Sequence, residues 1–265
     1  MVKHKSTALS RQLASGAPDA VAHPLVDNQP FARNRGLAVN HRPSYSPAMT
    51  AAQRLQSIRE NIARAAKLAR RNPADVTLIA VSKTRSPAEI EALIEAGQRD
   101  FGESRVQEAL EKWPALLARY SALRLHCIGR LQSNKADEAV RLFDTIHSLD
   151  RVSLLDALVK EAEKADRLPS VYVQVNIGEE PQKGGCTVAE VAELVNAVRS
   201  SPLPLAGLMA IPPLGLEPSP FFALLAKLAR SHDVAGLSMG MSSDYEAAVM
   251  LGATAVRIGT ALFED

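Results

Sequence analysis

The sequence predicts an α/β fold: a single-domain (β/α)8 TIM-type barrel, preceded by an N-terminal helix and a disordered tail. Short apolar, β-branched runs alternate with helix-like stretches from Val76 onward, which is typical of a parallel sheet. These runs are hydrophobic throughout rather than at every second residue, and this indicates burial on both faces. Eight strands with one helix each is the number found in a closed barrel.

The N-terminal part of the chain divides at Met49. Residues 1–48 are rich in Pro, Ser, Asn and Arg without a sustained apolar period, so a disordered extension is expected. A transit peptide, or translation that starts at Met49, are alternatives. From Met49 the sequence predicts an amphipathic helix, with these residues on one face: Leu55, Ile58, Ile62, Ala65, Ala66 and Leu68. Residues 49–265 are expected to form one domain, because no composition shift or long linker follows.

The barrel elements can be placed along the chain. The predicted strands are 76–82, 98–102, 123–129, 143–149, 171–177, 205–211, 235–240 and 254–259. The predicted helices between them are 87–96, 104–118, 133–141, 151–167, 187–200, 217–230 and 243–251. Capping residues predict helix starts at Ser86, Asp150 and Ser242. The second and seventh strands are the least clearly patterned, so a doubly wound open sheet remains an alternative.

The charge balance and the two cysteines argue against a nucleic-acid-binding protein and against a metal-binding or disulfide-linked one. The chain has 31 Lys/Arg and 29 Asp/Glu, of which residues 1–48 hold six and two, so the remainder carries 25 and 27. A balance so close to neutral does not indicate a nucleic-acid partner. Cys127 and Cys186 have neither metal-ligand spacing nor a disulfide pattern, and Cys127 is expected to be an inert buried thiol. No transmembrane segment or metal site is expected, and a cytoplasmic location is favoured.

The segments after the last two strands predict a phosphate site. Chemistry in barrels lies at the carboxyl ends of strands, and phosphates there are held by backbone N–H groups, hydroxyls and helix N-termini. The runs "MGMSSD" (239–244) and "RIGT" (257–260) supply glycines and hydroxyls at adjacent strand ends. Ser242 has an alternative role as an ordinary helix cap.

Lys83 follows the first strand and could serve as a nucleophile. A lysine in a barrel mouth can form a Schiff base with a carbonyl, although a lysine whose amine only reaches for solvent is the alternative. An aldehyde and a phosphate on one small molecule would be held at both ends, and pyridoxal 5′-phosphate (PLP) is such a molecule. Arg257 lies inside the eighth strand, where it would face the pyridine nitrogen of PLP or pair with Glu103.

Several motifs together resemble those of the pyridoxal phosphate homeostasis proteins. They are "AVSKT", "FGES..QEA", "HCIGRLQSNK", "GLMAIPP", "SMGMSSDYEAAV" and "VRIGTALF", and the resemblance runs from about Met49 to the C-terminus. It implies a single-domain barrel like the N-terminal half of bacterial alanine racemases. It also implies PLP binding without established turnover, and a role in controlling free PLP and supplying it to other proteins. No catalytic residue is implied.

The resemblance assigns roles to particular residues. Lys83 would hold PLP as a Schiff base, Arg257 would contact the ring nitrogen, and Met241 would lie near the cofactor. Three residues would hold the phosphate: Ser242, Gly259 and Thr260. The segment "GRLQSNK", with Asn134 and Lys135, would line the rim, or would be a helix-opening loop capped by Ser133. His126 is interpreted as a satisfied strand histidine.

Two positions depart from the family pattern. Ser104 stands where the family usually has Asn, and its shorter side chain puts a contact to the cofactor in doubt. The usual tail is cut short at Glu264–Asp265, so contacts from it are expected to be missing.

A PLP-dependent amino-acid racemase is the alternative function, but racemisation needs acid–base groups on both faces of the cofactor. In alanine racemases the second group is a tyrosine from a second domain. The tyrosines of this chain are not in an evident loop over Lys83. A class I aldolase is more distant, because its lysine usually lies near the sixth strand. The expected partners are PLP and apo-PLP enzymes, and the expected state is a monomer.

Overall fold

The computed structural model describes residues 49–263, so the predicted extension and Glu264–Asp265 lie outside the described residues. Within this range the strands are β1 Thr77–Val81, β2 Asp100–Glu103, β3 Arg124–Cys127, β4 Thr145–Leu149, β5 Ser170–Val175, β6 Leu205–Ala210, β7 Leu237–Ser238 and β8 Ala255–Ile258. They are parallel and close into a barrel in chain order. Because β1 pairs with β2 on one side and β8 on the other, the predicted barrel is confirmed and the open sheet is excluded.

Helices of the described range follow the strands in the expected alternation. They are α1 Ala51–Leu68, α2 Pro87–Glu95, α3 Val106–Arg119, α4 Ala136–Leu142, α5 Val152–Ala165, α6 Val191–Arg199, α7 Ser219–Ser231, α8 Tyr245–Met250 and α9 Thr260–Phe263. Single 3-10 turns occupy Pro73–Asp75, Ser133–Lys135 and Val188–Glu190. No helix in this part of the chain combines the length and apolarity needed to span a membrane.

The N-terminal helix α1 packs beside the last elements of the barrel. Thr50 and Gln53 form a reciprocal capping box that starts the helix. Of the predicted apolar face, five residues are buried: Leu55, Ile58, Ile62, Ala65 and Ala66. Leu68 is 72% exposed, so its predicted place on that face was wrong; it is the last residue of the helix and extends past the packed surface.

The three predicted caps have different outcomes. Ser86 caps α2 in a capping box with Glu89, as predicted. Asp150 does not cap α5, because its carboxylate is ion-paired with Arg151, which occupies the N-cap position instead. Ser242 does not cap α8 either, since that helix begins at Tyr245. The hydroxyl of Ser242 is therefore available for another role.

The two cysteines are buried free thiols. Burial raises the pKa of Cys127 and of Cys186 to about 12. Because the thiolate is the reactive form, neither residue is a nucleophile at neutral pH. The interpretation of Cys127 as an inert thiol is thereby confirmed.

Candidate functional site

All six residues predicted to bind a cofactor line one cleft at the carboxyl end of the barrel. The cleft has a volume of about 700 Å³. The six are Lys83, Met241, Ser242, Arg257, Gly259 and Thr260, and the other lining residues are Val81, Thr84, Arg85, Ser104, Ile128, Ile211 and Ser243. The arrangement follows from the parallel sheet, which brings the segments after β1, β7 and β8 to one edge.

Lys83 lies in a turn rather than in the first strand. Strand β1 ends at Val81, Ser82 is fully buried, and Lys83 is exposed. The turn is anchored through Ser82, whose N–H donates to the Gly102 carbonyl at 3.0 Å and whose carbonyl accepts from Lys112 Nζ at 2.8 Å. The apolar strand therefore stays buried while the exposed Lys83 lines the cleft.

The residue after the lysine has an unusual backbone conformation. Thr84 has φ 61°, in the left-handed region that β-branched residues rarely adopt. Its N–H donates to Glu108 Oε1 at 2.5 Å, and its hydroxyl donates to the Lys83 carbonyl at 2.6 Å. These contacts fix the tight turn that directs Lys83.

A buried carboxylate supports the same turn. Glu103 is fully buried at the end of β2, and its Oε1 accepts from Ser82 Oγ at 2.7 Å and from Trp113 Nε1 at 2.9 Å. Lys112 Nζ forms a salt bridge to the same oxygen at 2.8 Å. Glu103 is thus engaged by Lys112, and the alternative pairing of Glu103 with Arg257 is wrong.

Arg257 is a buried cation held by neutral acceptors. Its side chain donates to Ser238 Oγ at 2.6 Å and to the Ala210 carbonyl at 3.0 Å, and the residue is 4% exposed. Burial lowers the pKa of Arg257 to about 10. The guanidinium therefore stays charged and acts only as a donor at neutral pH.

The loop after β7 is shaped by Gly240, which has φ 96°. It leads into Met241, whose N–H donates to Asp244 Oδ1 at 2.6 Å. The hydroxyl of Ser242 accepts from the Ala261 N–H at 3.5 Å, which joins this loop to the first turn of α9. Ser242 thus lines the cleft together with Gly259 and Thr260 instead of capping a helix.

Adding a methyl group at Gly240 is expected to disrupt this loop. A Cβ there would lie 2.6 Å from Ala248 Cβ and 3.0 Å from Tyr245 Cα. We expect Gly240→Ala to lower the free energy of unfolding by about 2 kcal/mol or more, since the clash adds to the cost of positive φ. Urea denaturation measures this value.

The control for that substitution is Gly215→Ala. Gly215 also has a positive φ, of 79°, but nothing lies within 4 Å of the added Cβ. We expect a loss of only about 1 kcal/mol, from backbone conformation alone. If both variants lose the same free energy of unfolding, the close approach of Ala248 and Tyr245 to Gly240 does not contribute to stability.

Several residues near the site were placed differently from expectation or were not predicted. Asn134 and Lys135 line a neighbouring cleft of about 760 Å³, which shares Ser104 with the first. Ser133 does not cap a helix there; its hydroxyl accepts from Arg151 at 3.1 Å. The unpredicted lining residues Thr84, Arg85, Ile128 and Ile211 all belong to strand-end segments, and that position was the available signal.

His126 is a satisfied strand histidine, as interpreted from the sequence. Its Nδ1 lies 3.0 Å from His147 Nε2, and its Nε2 lies 3.1 Å from Asp100 Oδ1. It is buried and does not line the cleft. His147 is buried beside it and was not singled out from the sequence.

Comparison with known proteins places the chain in a family. The model of the family described as "Alanine racemase, N-terminal domain" matches residues 53–265. A pyridoxal phosphate homeostasis protein of Synechocystis is 43% identical over 203 residues, which cover 73% of this chain and 93% of the relative. The protein of that name from Escherichia coli is 40% identical over 223 residues, covering 80% of this chain and 95% of the relative.

A solved structure agrees with the sequence matches. PipY of Synechococcus elongatus, determined with PLP bound, superposes with a TM-score of 0.70 at 39% identity. The superposition covers 80% of this chain and 99% of PipY. The chain therefore belongs to the alanine racemase N-terminal domain family and, within it, to the pyridoxal phosphate homeostasis proteins.

Proposed function

We propose that this protein binds PLP as a Schiff base on Lys83 and acts in intracellular PLP homeostasis and supply rather than in catalysis. One observation carries the proposal: Lys83 and the Gly259–Thr260 segment line the same cleft. An aldehyde and a phosphate on one small molecule would thus meet a nucleophile and an anion site. The relatives named for PLP homeostasis support the same role.

The residues present fit PLP. A cleft of about 700 Å³ lies within the range of about 300–1,000 Å³ of ligand pockets. Its cationic lining residues are Lys83, Arg85 and Arg257, and its hydroxyls include Ser242 and Thr260. None of the described residues that line it is an aspartate or glutamate. This donor set suits a dianionic phosphate together with an aldehyde.

Arg257 is proposed to contact the pyridine nitrogen. A bound PLP supplies an electrophilic carbonyl and a ring that withdraws electrons most strongly when its nitrogen is protonated. Arg257 is a donor at neutral pH, so it would hydrogen-bond to an unprotonated nitrogen and keep the ring a poor electron sink. Ser242, Gly259 and Thr260 would hold the phosphate, with Met241 beside the ring.

The lining of the cleft supports a carrier over a racemase. Among the described lining residues there is no tyrosine, histidine or carboxylate to serve as the second acid–base group. Tyr172 instead stacks on His147 at 4.4 Å inside the barrel, and the Tyr245 hydroxyl accepts from Asn61. Tyr45 lies outside the described residues. The racemase alternative requires a residue from another chain, whereas we propose a monomer.

The exposure of Lys83 supports release of the cofactor. A solvent-exposed amine leaves a Schiff base open to hydrolysis or to attack by an incoming lysine. We propose apo-PLP enzymes as the recipients. We place this role in the cytoplasm, where thiols such as Cys127 and Cys186 stay reduced.

Mass spectrometry after borohydride reduction tests the proposal. The protein is incubated with PLP, reduced and digested, and the peptides are sequenced. We expect one reduced phosphopyridoxyl group on the peptide that contains Lys83. Absence of the group, or its presence only on other lysines, would refute the proposed binding mode.

A further inference from the structure

A chain of buried hydrogen bonds crosses the barrel interior and ends at Arg257. Arg257 contacts Ser238 Oγ at 2.6 Å, and that oxygen lies 2.9 Å from His147 Nδ1. His147 Nε2 lies 3.0 Å from His126 Nδ1. The other ring nitrogen of His126, Nε2, lies 3.1 Å from Asp100 Oδ1. Each of the five residues is at most 7% exposed. We call these five residues the polar chain.

The polar chain spans the two ends of the barrel. Asp100 is the first residue of β2, at the amino end of the strands, whereas Arg257 lines the cleft at the carboxyl end. Arg124, the first residue of β3, donates to both oxygens of Asp100 at 2.6 Å. Asp100 and Arg124 also line a cleft of about 520 Å³ at that far end.

The chemistry of the two end groups, with a neutral ring at each histidine, gives one order for the hydrogens between them. Arg257 can only donate, so Ser238 Oγ accepts from it, and in this order Ser238 directs its own hydrogen to His147 Nδ1. His147 then carries its proton on Nε2 and donates to His126 Nδ1. His126 in turn donates from Nε2 to the Asp100 carboxylate. In this arrangement every hydrogen along the polar chain has an acceptor.

The environment of the two inner groups agrees with this assignment. Burial, together with the charge of Arg257, holds the pKa of His147 well below its usual value. Burial opposes ionisation of Asp100, but hydrogen bonds from His126 and Arg124 outweigh it and hold the pKa of Asp100 below its usual value. A neutral His147 and an ionised Asp100 are the states that the donor order requires.

The interior of a barrel can be stable without a series of buried polar residues like the polar chain. The layers inside these barrels are usually filled by Val, Ile and Leu, and buried polar groups must recover their desolvation cost through complete hydrogen bonding. The polar chain meets that condition, and one of its ends is Arg257, which lines the cleft. Its position therefore suggests a role at the site.

We propose that Asp100, His126, His147 and Ser238 are positioning residues that fix the orientation and charge environment of Arg257, and thereby couple the far end of the barrel to the ring of bound PLP. The inference rests on the proposed function. It adds that a change at Asp100, at the amino end of the strands, alters the electronic state of the ring, because the hydrogen bonds along a polar network polarise one another.

The test compares Asp100→Asn with Asp144→Asn. Asp144 is a matched control, because it lies just before β4 at the same end and accepts from Arg167 at 2.9 Å and from the Leu125 N–H at 2.8 Å. Among the described hydrogen bonds, none joins Asp144 to the polar chain; its charge acts on Arg124 and not on Asp100 directly. The absorption spectrum of bound PLP, its dissociation constant and the melting temperature are measured at one fixed pH.

We expect both variants to melt at a lower temperature, but only Asp100→Asn to shift the absorption band and to weaken PLP binding, by about fivefold. Ser238→Ala removes the link next to Arg257 and is expected to shift the band in the same direction, while Ser238→Thr retains the wild-type band. If Asp100→Asn does not fold, the Ser238 pair carries the test. Unshifted spectra in Asp100→Asn or Ser238→Ala would overturn the inference.

A second measurement needs no cofactor. In ¹⁵N NMR spectra of the protein without PLP, we expect His147 to be neutral with its proton on Nε2, and we expect the Nε2 of His126 to carry a proton. A proton on Nδ1 of His147 would reverse the donor order and overturn the inference. Failure of the wild-type protein to bind PLP at all would instead refute the proposed function, so the two failures are distinguishable.

Discussion

Replacing Lys83 by alanine is expected to abolish the adduct that borohydride fixes on the protein. Lys83 is the amine that lines the cleft, and a Schiff base cannot form without it. The purified variant should lose the yellow band of the covalent complex. Weaker, non-covalent binding should remain through Ser242, Thr260 and Arg257, and inorganic phosphate should compete with it.

The control for this loss is Lys135→Ala. Lys135 also follows a barrel strand and lines the neighbouring cleft, but it is ion-paired with Glu138 at 3.0 Å. Its replacement should leave the adduct unchanged, as judged by absorbance and by mass spectrometry. A reducible adduct that persists in Lys83→Ala would show that another lysine holds PLP.

The fold could be predicted because its signals are local. Apolar runs of β-branched residues and the helices between them are read within a few residues, and parallel strands impose the rest. Strand ends were less predictable: β7 has two residues, Leu237–Ser238, where the sequence predicted 235–240. Strand length depends on pairing with neighbours far along the chain, and no local pattern records it.

The residues of the candidate site that follow strands could be predicted from the sequence, but their hydrogen-bond partners could not. Lys83, Ser242 and Thr260 follow strands, and the barrel gathers strand ends whatever the loops contain. Their partners were missed because they pair across long sequence separations, as Lys112 does with Ser82 and as His147 does with Ser238. A polar residue inside an apolar strand was the signal available for His147.

Opposite charge alone did not identify the partner of Arg257. The sequence offered an ion pair with Glu103 as an alternative, and the structure does not form it. Each of these buried residues needed partners, and opposite charge made them the natural pair. The structure satisfies Arg257 with a hydroxyl and a carbonyl, and satisfies Glu103 with Lys112. Which of several complementary groups lies nearest is decided by register and by helix position.

Replacing Lys112 by methionine is expected to cause the largest loss of stability among these substitutions. Lys112 Nζ forms salt bridges with Glu103 at 2.8 Å and with Glu108 at 3.2 Å, and Glu103 is fully buried. Removing one partner of a buried ion pair leaves an uncompensated charge, which costs about 3–5 kcal/mol. For a domain of this size, the melting temperature should fall by roughly 10 °C.

The same substitution also removes the donor to the Ser82 carbonyl, so the turn that presents Lys83 should loosen. A double variant separates the buried charge from lost packing. Glu103→Gln removes the charge that Lys112→Met leaves unpaired, so the double variant should regain a large part of the stability. Lys164→Met is the control, because its pair with Glu161 is on the surface and should be worth less than about 1 kcal/mol. If the stability lost by the double variant equals the sum of the two single losses, Lys112 acts through its aliphatic stem, and Glu103 tolerates burial without a counter-charge.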